Sequence, residues 1–546
     1  MDGGARLRAL RRRYPQSMAT VAPRPVWRLR ARTVRAAPVL APLALGALVA
    51  VSLLLRIREL GVGFWIDEGI SVGIADRPLL DIPGTLLLDG SPPLYYMLLH
   101  VWMQVAGMSE QATHGLSVAC ALLTVPVAWW GARAALGART GWFAAVLAAL
   151  NPFLTQYAQE TRMYALVVLL GLLATSCFLC AFAVPEPARP DRRWAAGLAV
   201  SLIAIMYTHN WALFFTGALV VAFAVLVVLA PRHDRVALVK GGLIGFVPAA
   251  LLYLPWVPSL LSQMRSTGAP WSTAPDLADL ATVPALLLGP VAVVALLLAA
   301  GSGAVALLGR RTGRRLGPEA RVVLVLLVVA VVTVLLAYAA SHVSPAWAAR
   351  YLGVALPPLL LLSAAGLAAA GRLGVVGLVL VALMWAGDRA PTHKSNVRDI
   401  AASVAPGLRP GDLVVATQPE QVPVLHYYLP PGLRYATLTG PVKDLGVTDW
   451  RDGVERLRAS SARRDLEPLI AGLEPGRRLV LVEPQTRIVS HWSAPWTQLI
   501  RLRSREWNEF ATSDPRVRVG AIYPARTFPE RRHPLRATVL VRTSGP

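Results

Sequence analysis

Long apolar runs separated by polar stretches occupy residues 38–387. They fall at 38–56, 113–135, 141–157, 163–184, 194–208, 211–230, 236–256, 281–308, 321–341, 350–370 and 373–387. About 20 apolar residues cross a bilayer as a helix, so the pattern predicts eleven spans. The 281–308 run is long for one crossing and carries Gly289-Pro290, which predicts a tilt or kink. After Asp388 the pattern shortens. Short apolar segments between turn residues predict strands at Leu413–Thr417, Leu479–Glu483, Val517–Tyr523 and Ala537–Arg542, with helices near 395–405, 448–464 and 496–510. The expected architecture is an α-helical polytopic membrane protein with a C-terminal extracytoplasmic α/β domain. Its parts are a basic cytoplasmic tail (1–37), a transmembrane domain (38–388) and the α/β domain (389–546).

The stretch 92–106 is short, opens with Pro92-Pro93 and carries His100 and Gln104 one helical turn apart. Arginine placement decides whether it crosses, because basic loops stay cytoplasmic. Suppose that it does not cross and that the N-terminus is inside. Then Arg133, Arg139, the cluster Arg189, Arg192 and Arg193, then Arg232, Arg235 and Lys240, the group from Arg310 to Arg321, and Arg372 all face the cytoplasm. If it crossed, all of them would lie outside. It therefore reads as an interfacial or re-entrant helix, with Tyr95, Tyr96 and Trp102 suited to the headgroup layer.

Composition fits this picture: 55% of residues are hydrophobic and the mean hydropathy is +0.51. The net charge of +23 is almost all arginine, with lysine only at 240, 394 and 443. Spread over tail, loops and C-terminal region, this charge suits orientation and anionic lipid rather than nucleic acid. The first apolar run has no small-residue cleavage site and is expected to be a retained span. Cys120, Cys177 and Cys180 lie in apolar runs, so no disulfide framework is implied, and Cys177-x-x-Cys180 reads as apolar filler.

The chemistry centres on Phe64-Trp65-Ile66-Asp67-Glu68-Gly69, two carboxylates where the first helix emerges. Taken alone they read as solvated loop charges. Singly, Asp89 before Gly90 reads as a turn residue, Arg162 and Arg350 as snorkelling anchors, His209 as a satisfied loop residue, and Tyr157, Tyr164 and Tyr351 as belt aromatics. The topology puts them all on the outer face beside helix ends. A polar pocket of carboxylates and arginines there suits a lipid phosphate-linked sugar. Its tail lies in the bilayer, its phosphate meets arginine, and its anomeric carbon is open to attack. Arg162 with Tyr164 and Arg350 with Tyr351 are expected on the phosphate, and Asp89, Tyr95 and His209 on the substrate or acceptor. A carboxylate would take the proton of the attacking hydroxyl.

Trp65-Ile66-Asp67-Glu68, Asp89-Gly90-Ser91-Pro92-Pro93-Leu94-Tyr95-Tyr96, Asn151-Pro152 and Gln159-Glu160-Thr161-Arg162-Met163-Tyr164 resemble the dolichyl-phosphate-mannose-protein mannosyltransferase superfamily. That superfamily includes the lipid A aminoarabinose transferases and has the GT-C glycosyltransferase fold. The resemblance covers residues 40 to about 215 and continues weakly to Pro357. Asn396-Val397-Arg398-Asp399 and Pro410-Gly411-Asp412 look like the outer domain of bacterial members. It implies an inverting transferase using a polyprenyl-phosphate sugar, with Asp67 as base and Glu68 as a partner that orients substrate or helps hold a divalent metal. Ser91 stands where the family often has histidine before the double proline, and Thr113-His114 where it often has arginine. Mannose is the first expectation for the sugar and arabinofuranose the next; the acceptor would be an extracytoplasmic protein, lipoglycan or wall glycan. A flippase of lipid-linked sugars would favour carboxylates buried mid-span and internal repeats. A non-catalytic surface scaffold would do without the acidic pair.

Overall fold

The computed structural model describes residues 40–184, 190–312, 315–387, 394–485, 493–524 and 534–544. The basic tail, Arg189, Arg314 and the boundary at Asp388 lie outside the described residues. The chain forms two compact units, Met1–Ala47 and Leu48–Pro546, of which the second carries the sheet and the site. This second unit is mostly helical. Among the described residues, six helices are long and apolar enough to cross a membrane, or seven if the bent pair Leu277–Leu288 and Ala292–Leu308 forms one span. Leu40–Arg56, Ala138–Leu150 and Gly371–Ala386 are shorter apolar helices.

Two of the expected runs are broken, each for a local reason. The 141–157 run divides into Ala138–Leu150 and Pro152–Tyr157. Asn151 caps the second piece by accepting from the Leu154 N–H (3.1 Å), and Pro152 takes the first turn, where a missing N–H costs nothing. The 281–308 run bends by 87° at Gly289, whose φ of 79° is left-handed. The carbonyl of Leu288, freed there, accepts from Trp385 Nε1 at 2.8 Å. The 92–106 stretch forms the 13-residue helix Leu94–Ala106.

Among the described residues, six strands form one mixed sheet: β1 (Leu413–Ala416), β2 (Arg434–Thr437), β3 (Gly440–Pro441), β4 (Arg478–Pro484), β5 (Val517–Tyr523) and β6 (Leu535–Arg542). The order is β3-β2-β1-β4-β6-β5, parallel for β2-β1-β4 and antiparallel at both ends. Its core packs Val415, Leu479 and Leu481 against Trp496, Ile500 and Trp507, the last three from the helix Pro495–Ser513. Of the three predicted helical segments, 448–464 divides into two short pieces, Gly453–Ala459 and Ala462–Leu466, and a third, Glu467–Ala471, follows it. β2, β3 and the helix Val422–Tyr428 are additions to the elements that the sequence pattern predicts.

That additional helix positions the site. It lies across the helix Ile66–Ala75, which carries both carboxylates. A Cβ on Gly69 would stand 2.7 Å from the Val424 backbone, and one on Gly73 would stand 2.4 Å from the Gly446 carbonyl oxygen. Two glycines one turn apart thus let the sheet region press directly onto this helix. Tyr428 joins the two further, accepting from the Phe64 N–H (2.8 Å) and donating to Glu110 (2.9 Å).

Candidate active site

The helix Ile66–Ala75 starts with acidic residues in its first turn, where they favour the positive end of its dipole. Glu68 reaches back to the Trp65 N–H (3.2 Å), as the third residue of a capped helix does. Successive residues on a helix point about 100° apart, so Asp67 and Glu68 enter different surroundings.

Glu68 is fully buried and each carboxylate oxygen has two partners. Oε1 meets His114 Nε2 at 2.6 Å and accepts from the Thr161 N–H at 2.8 Å. Oε2 accepts from Lys394 Nζ at 2.6 Å and from the Trp65 N–H. Burial alone would push this carboxyl up, but Lys394 and His114 outweigh it and hold it down at about 2. His114 Nδ1 faces the Leu60 carbonyl oxygen (2.8 Å), and Lys394 also donates to the Gln159 carbonyl (2.8 Å).

Asp67 keeps 18% of its side chain exposed. Its Oδ2 lies 3.6 Å from Arg350 Nη2 and 3.9 Å from Arg162 Nε, distances of ion pairs rather than closed hydrogen bonds. Arg162 Nη1 donates to Ser71 Oγ (3.1 Å), Tyr96 Oη (3.3 Å) and the Asp67 carbonyl (3.4 Å). Tyr96 in turn donates to Asp89 Oδ2 at 3.4 Å, and burial raises the Asp89 carboxyl. Arg350 lies over the rings of Trp271, Tyr351 and Trp65, with centroid distances of 4.7, 5.3 and 5.7 Å.

The structure thus brings Asp67, Asp89, Arg162 and Arg350 together. Tyr164 and Tyr351 line the same region, with ring centroids 6.3 Å apart, and His209 packs edge-on against Tyr351 at 4.8 Å. His209 Nδ1 accepts from the Trp211 N–H (3.1 Å), and burial together with the charges of Arg162 and Arg350 lowers its pKa to about 3. It is a neutral wall of the pocket. Tyr95 is placed one position off: it is buried, edge-on to Tyr96, and Tyr96 is the tyrosine bonded to Arg162 and Asp89.

Three further residues join the site without standing out in the sequence. His114 is visible there only as a replacement for an expected arginine. Glu160 lies inside the 159–164 motif with no mark of its own. Lys394 has one signal, its rarity, as one of three lysines in an arginine-rich chain. Burial raises the Glu160 carboxyl to about 7; Lys394 pulls it down, and the nearby Glu68 and Asp67 push it up. Glu160 Oε2, Arg162 Nε, Arg350 Nε and Tyr164 Oη are buried with no hydrogen-bond partner among the described residues. Such groups in one region suit a polar ligand.

The residues at Glu68 do not fit a divalent metal. An ammonium and an imidazole already take the carboxylate's lone pairs, and the described residues hold no group of three or more His, Cys, Asp or Glu placed to bind one.

This architecture is the GT-C fold of membrane glycosyltransferases. Similar solved structures include ArnT from Cupriavidus metallidurans bound to undecaprenyl phosphate, with a TM-score of 0.56 and 14% identity over 91% of this chain and 98% of that one. The arabinofuranosyltransferase AftD from mycobacteria aligns with a TM-score of 0.52 and 16% identity, over 92% of this chain and 40% of that one. The archaeal oligosaccharyltransferase AglB from Archaeoglobus fulgidus, solved with an inhibitory peptide and a dolichol-phosphate, gives 0.54 and 10% over 81% and 69%. No protein-family model and no curated protein matches the sequence.

Proposed function

We propose that the protein is an inverting glycosyltransferase that moves a sugar from a polyprenyl phosphate to an extracytoplasmic hydroxyl. The observation that carries this reading is Asp67 Oδ2 beside two arginines, in contacts long enough to be shared with a substrate. Arg162 and Arg350 bind the phosphate of the donor and stabilise the charge that develops on it as it leaves. Asp67 takes the proton of the acceptor hydroxyl. The acceptor oxygen then bonds to the anomeric carbon from the face opposite the phosphate, and the bond from that carbon to the phosphate oxygen breaks. Tyr164, Tyr351 and His209 wall the donor, and Asp89 and Tyr96 hold Arg162 in place.

Similar folds solved with undecaprenyl phosphate and with dolichol-phosphate support a lipid phosphate as the donor. A cleft of about 410 Å³ between the loop 265–272 and the helix Gly453–Ala459, lined by Arg265, Thr267, Ser272, Asp452, Glu455 and Arg458, is the acceptor's approach. Trp271, in that loop, touches Arg350 and packs against the sheet core, so the cleft adjoins the phosphate side. Eleven spans result when Arg192–Met206 and the three shorter apolar helices cross together with the seven longer ones. The N-terminal tail is then cytoplasmic, and the site and the 389–546 domain lie outside.

The test is transfer of radiolabelled sugar from polyprenyl-phosphate mannose, then arabinofuranose, to crude envelope acceptor by purified protein in liposomes. Donor movement across the bilayer without product would replace the transferase with a flippase. A cysteine label placed near Ser460, at an exposed neighbour, should react from outside and one near Arg192 from the cytoplasm; the reverse would overturn the orientation.

A further inference from the structure

One charged group in the site comes from the chain after the last membrane helix. We propose that Lys394 is a positioning residue of the transfer site, tying Glu68 and the 159–162 turn to the sheet region and so setting Asp67 against Arg162. The inference rests on the transferase reading above.

The geometry is that of a knot. Lys394 Nζ donates to Glu68 Oε2 (2.6 Å) and to the Gln159 carbonyl (2.8 Å), and lies 3.5 Å from His114 Nε2. Thr161 donates its backbone N–H to the other oxygen of the same carboxylate. One ammonium and one carboxylate therefore close a loop between the first turn of Ile66–Ala75 and the turn that ends in Arg162. Asp67 belongs to the first of these and Arg162 to the second. Two acceptors close to one nitrogen, with the His114 Nε2–H turned onto Glu68 beside them, suit a compact ammonium, whereas a planar guanidinium directs its donors in a fork. The chain uses lysine here while using arginine almost everywhere else.

The other end of the knot is equally fixed. Two residues on, Asn396 makes a reciprocal pair with the backbone of Leu535 at the start of β6: Nδ2 donates to its carbonyl (2.8 Å) and Oδ1 accepts from its N–H (2.7 Å). Gly69 against Val424, and Tyr428 against Phe64, hold the same helix from the same side. The sheet region is thus a structural partner of the reacting residues as well as a covering domain.

The test is a double-mutant cycle on the full-length protein: Lys394→Met, Lys394→Arg, Glu68→Gln and the pair Glu68→Gln with Lys394→Met. The pair leaves no uncompensated buried charge, so it folds even if Lys394→Met alone does not. In the pair, kcat should fall by about a hundredfold, the cost of an ångström-scale misplacement, while donor KM changes little. Losses should be non-additive across the cycle, and Lys394→Arg should restore little. Amide hydrogen exchange in the pair should quicken at 66–69 and 159–162 and stay unchanged in β1 and β4. A pair variant with wild-type turnover, or a well-folded Lys394→Met with wild-type turnover, would reduce Lys394 to charge compensation. If the wild type transfers no sugar, the transferase reading fails on its own. The exchange result then decides for Lys394, and unchanged exchange at 159–162 overturns the positioning role.

Discussion

Asp67 and its neighbour Glu68 differ in what surrounds them more than in what they are. Asp67 is partly exposed and meets two guanidiniums at 3.6 and 3.9 Å, while Glu68 is wholly buried and meets an ammonium and an imidazole at 2.6 Å. Long contacts can be exchanged for substrate at little loss. Short, saturated ones in a dry interior cannot, because removing either partner strands the other. One acidic pair thus serves two purposes, one side open to chemistry and the other holding the fold.

The sharpest way to break this contrast is Asp67→Asn. Turnover should fall on the order of 10²–10⁴-fold, with melting temperature and binding of undecaprenyl phosphate unchanged. Full activity in sugar transfer would remove Asp67 from catalysis. Glu68→Gln should cost stability as well as the turnover that its contact with Lys394 sustains. It leaves Lys394 without its counter-charge, at a cost of about 3–5 kcal/mol, read as lost thermal stability in detergent. A fully stable Glu68→Gln would place both carboxylates on the open side.

Arg162→Ala and Arg350→Ala should each weaken donor use by roughly 1.5–3 kcal/mol, the range for a charge-assisted contact, measured as kcat/KM for the lipid donor. Wild-type values in both would leave them as anchors.

The smallest effect concerns pH. Glu160 holds its proton to about 7 in the folded protein, against an ordinary value of 4.5. Between those two values the folded state binds more protons than the unfolded, so stability from this group falls as pH rises, by about 1 kcal/mol per pH unit. Glu68 has the opposite sign: its contribution is present above 4.5 and is lost as pH falls towards 2. Melting curves from pH 5 to 8 should decline in the wild type and flatten in Glu160→Gln. Equal slopes would deny Glu160 its raised pKa.

Much of this was legible in the residues. Apolar runs located the helices because lipid burial leaves an unbroken signal. Strands β1, β4, β5 and β6 were found because their apolar residues stand in short runs between turn residues. β2, at four residues, was too short for that, and in Val422–Tyr428 the proline that looks like a breaker sits harmlessly in the first turn. The break at Asn151-Pro152 was written in the sequence and read through. Within the site, Asp67, Arg162 and Arg350 stood out as charges beside apolar segments. Tyr96 was passed over for Tyr95, since adjacent tyrosines look alike until the helix phase is known. Lys394 is marked in the sequence by its rarity alone, and its role shows only beside its partner, 326 residues away.

That separation also bears on how the protein is made. A ribosome adding about 5–20 residues per second needs roughly 15–60 s to travel from Glu68 to Lys394. Through that interval the early helices are already entering the bilayer with a carboxylate whose counter-ion has yet to be synthesised. Final closure around Glu68 therefore waits for the sheet region to emerge and fold, and a nascent chain cut short before Lys394 leaves this carboxylate without its ammonium.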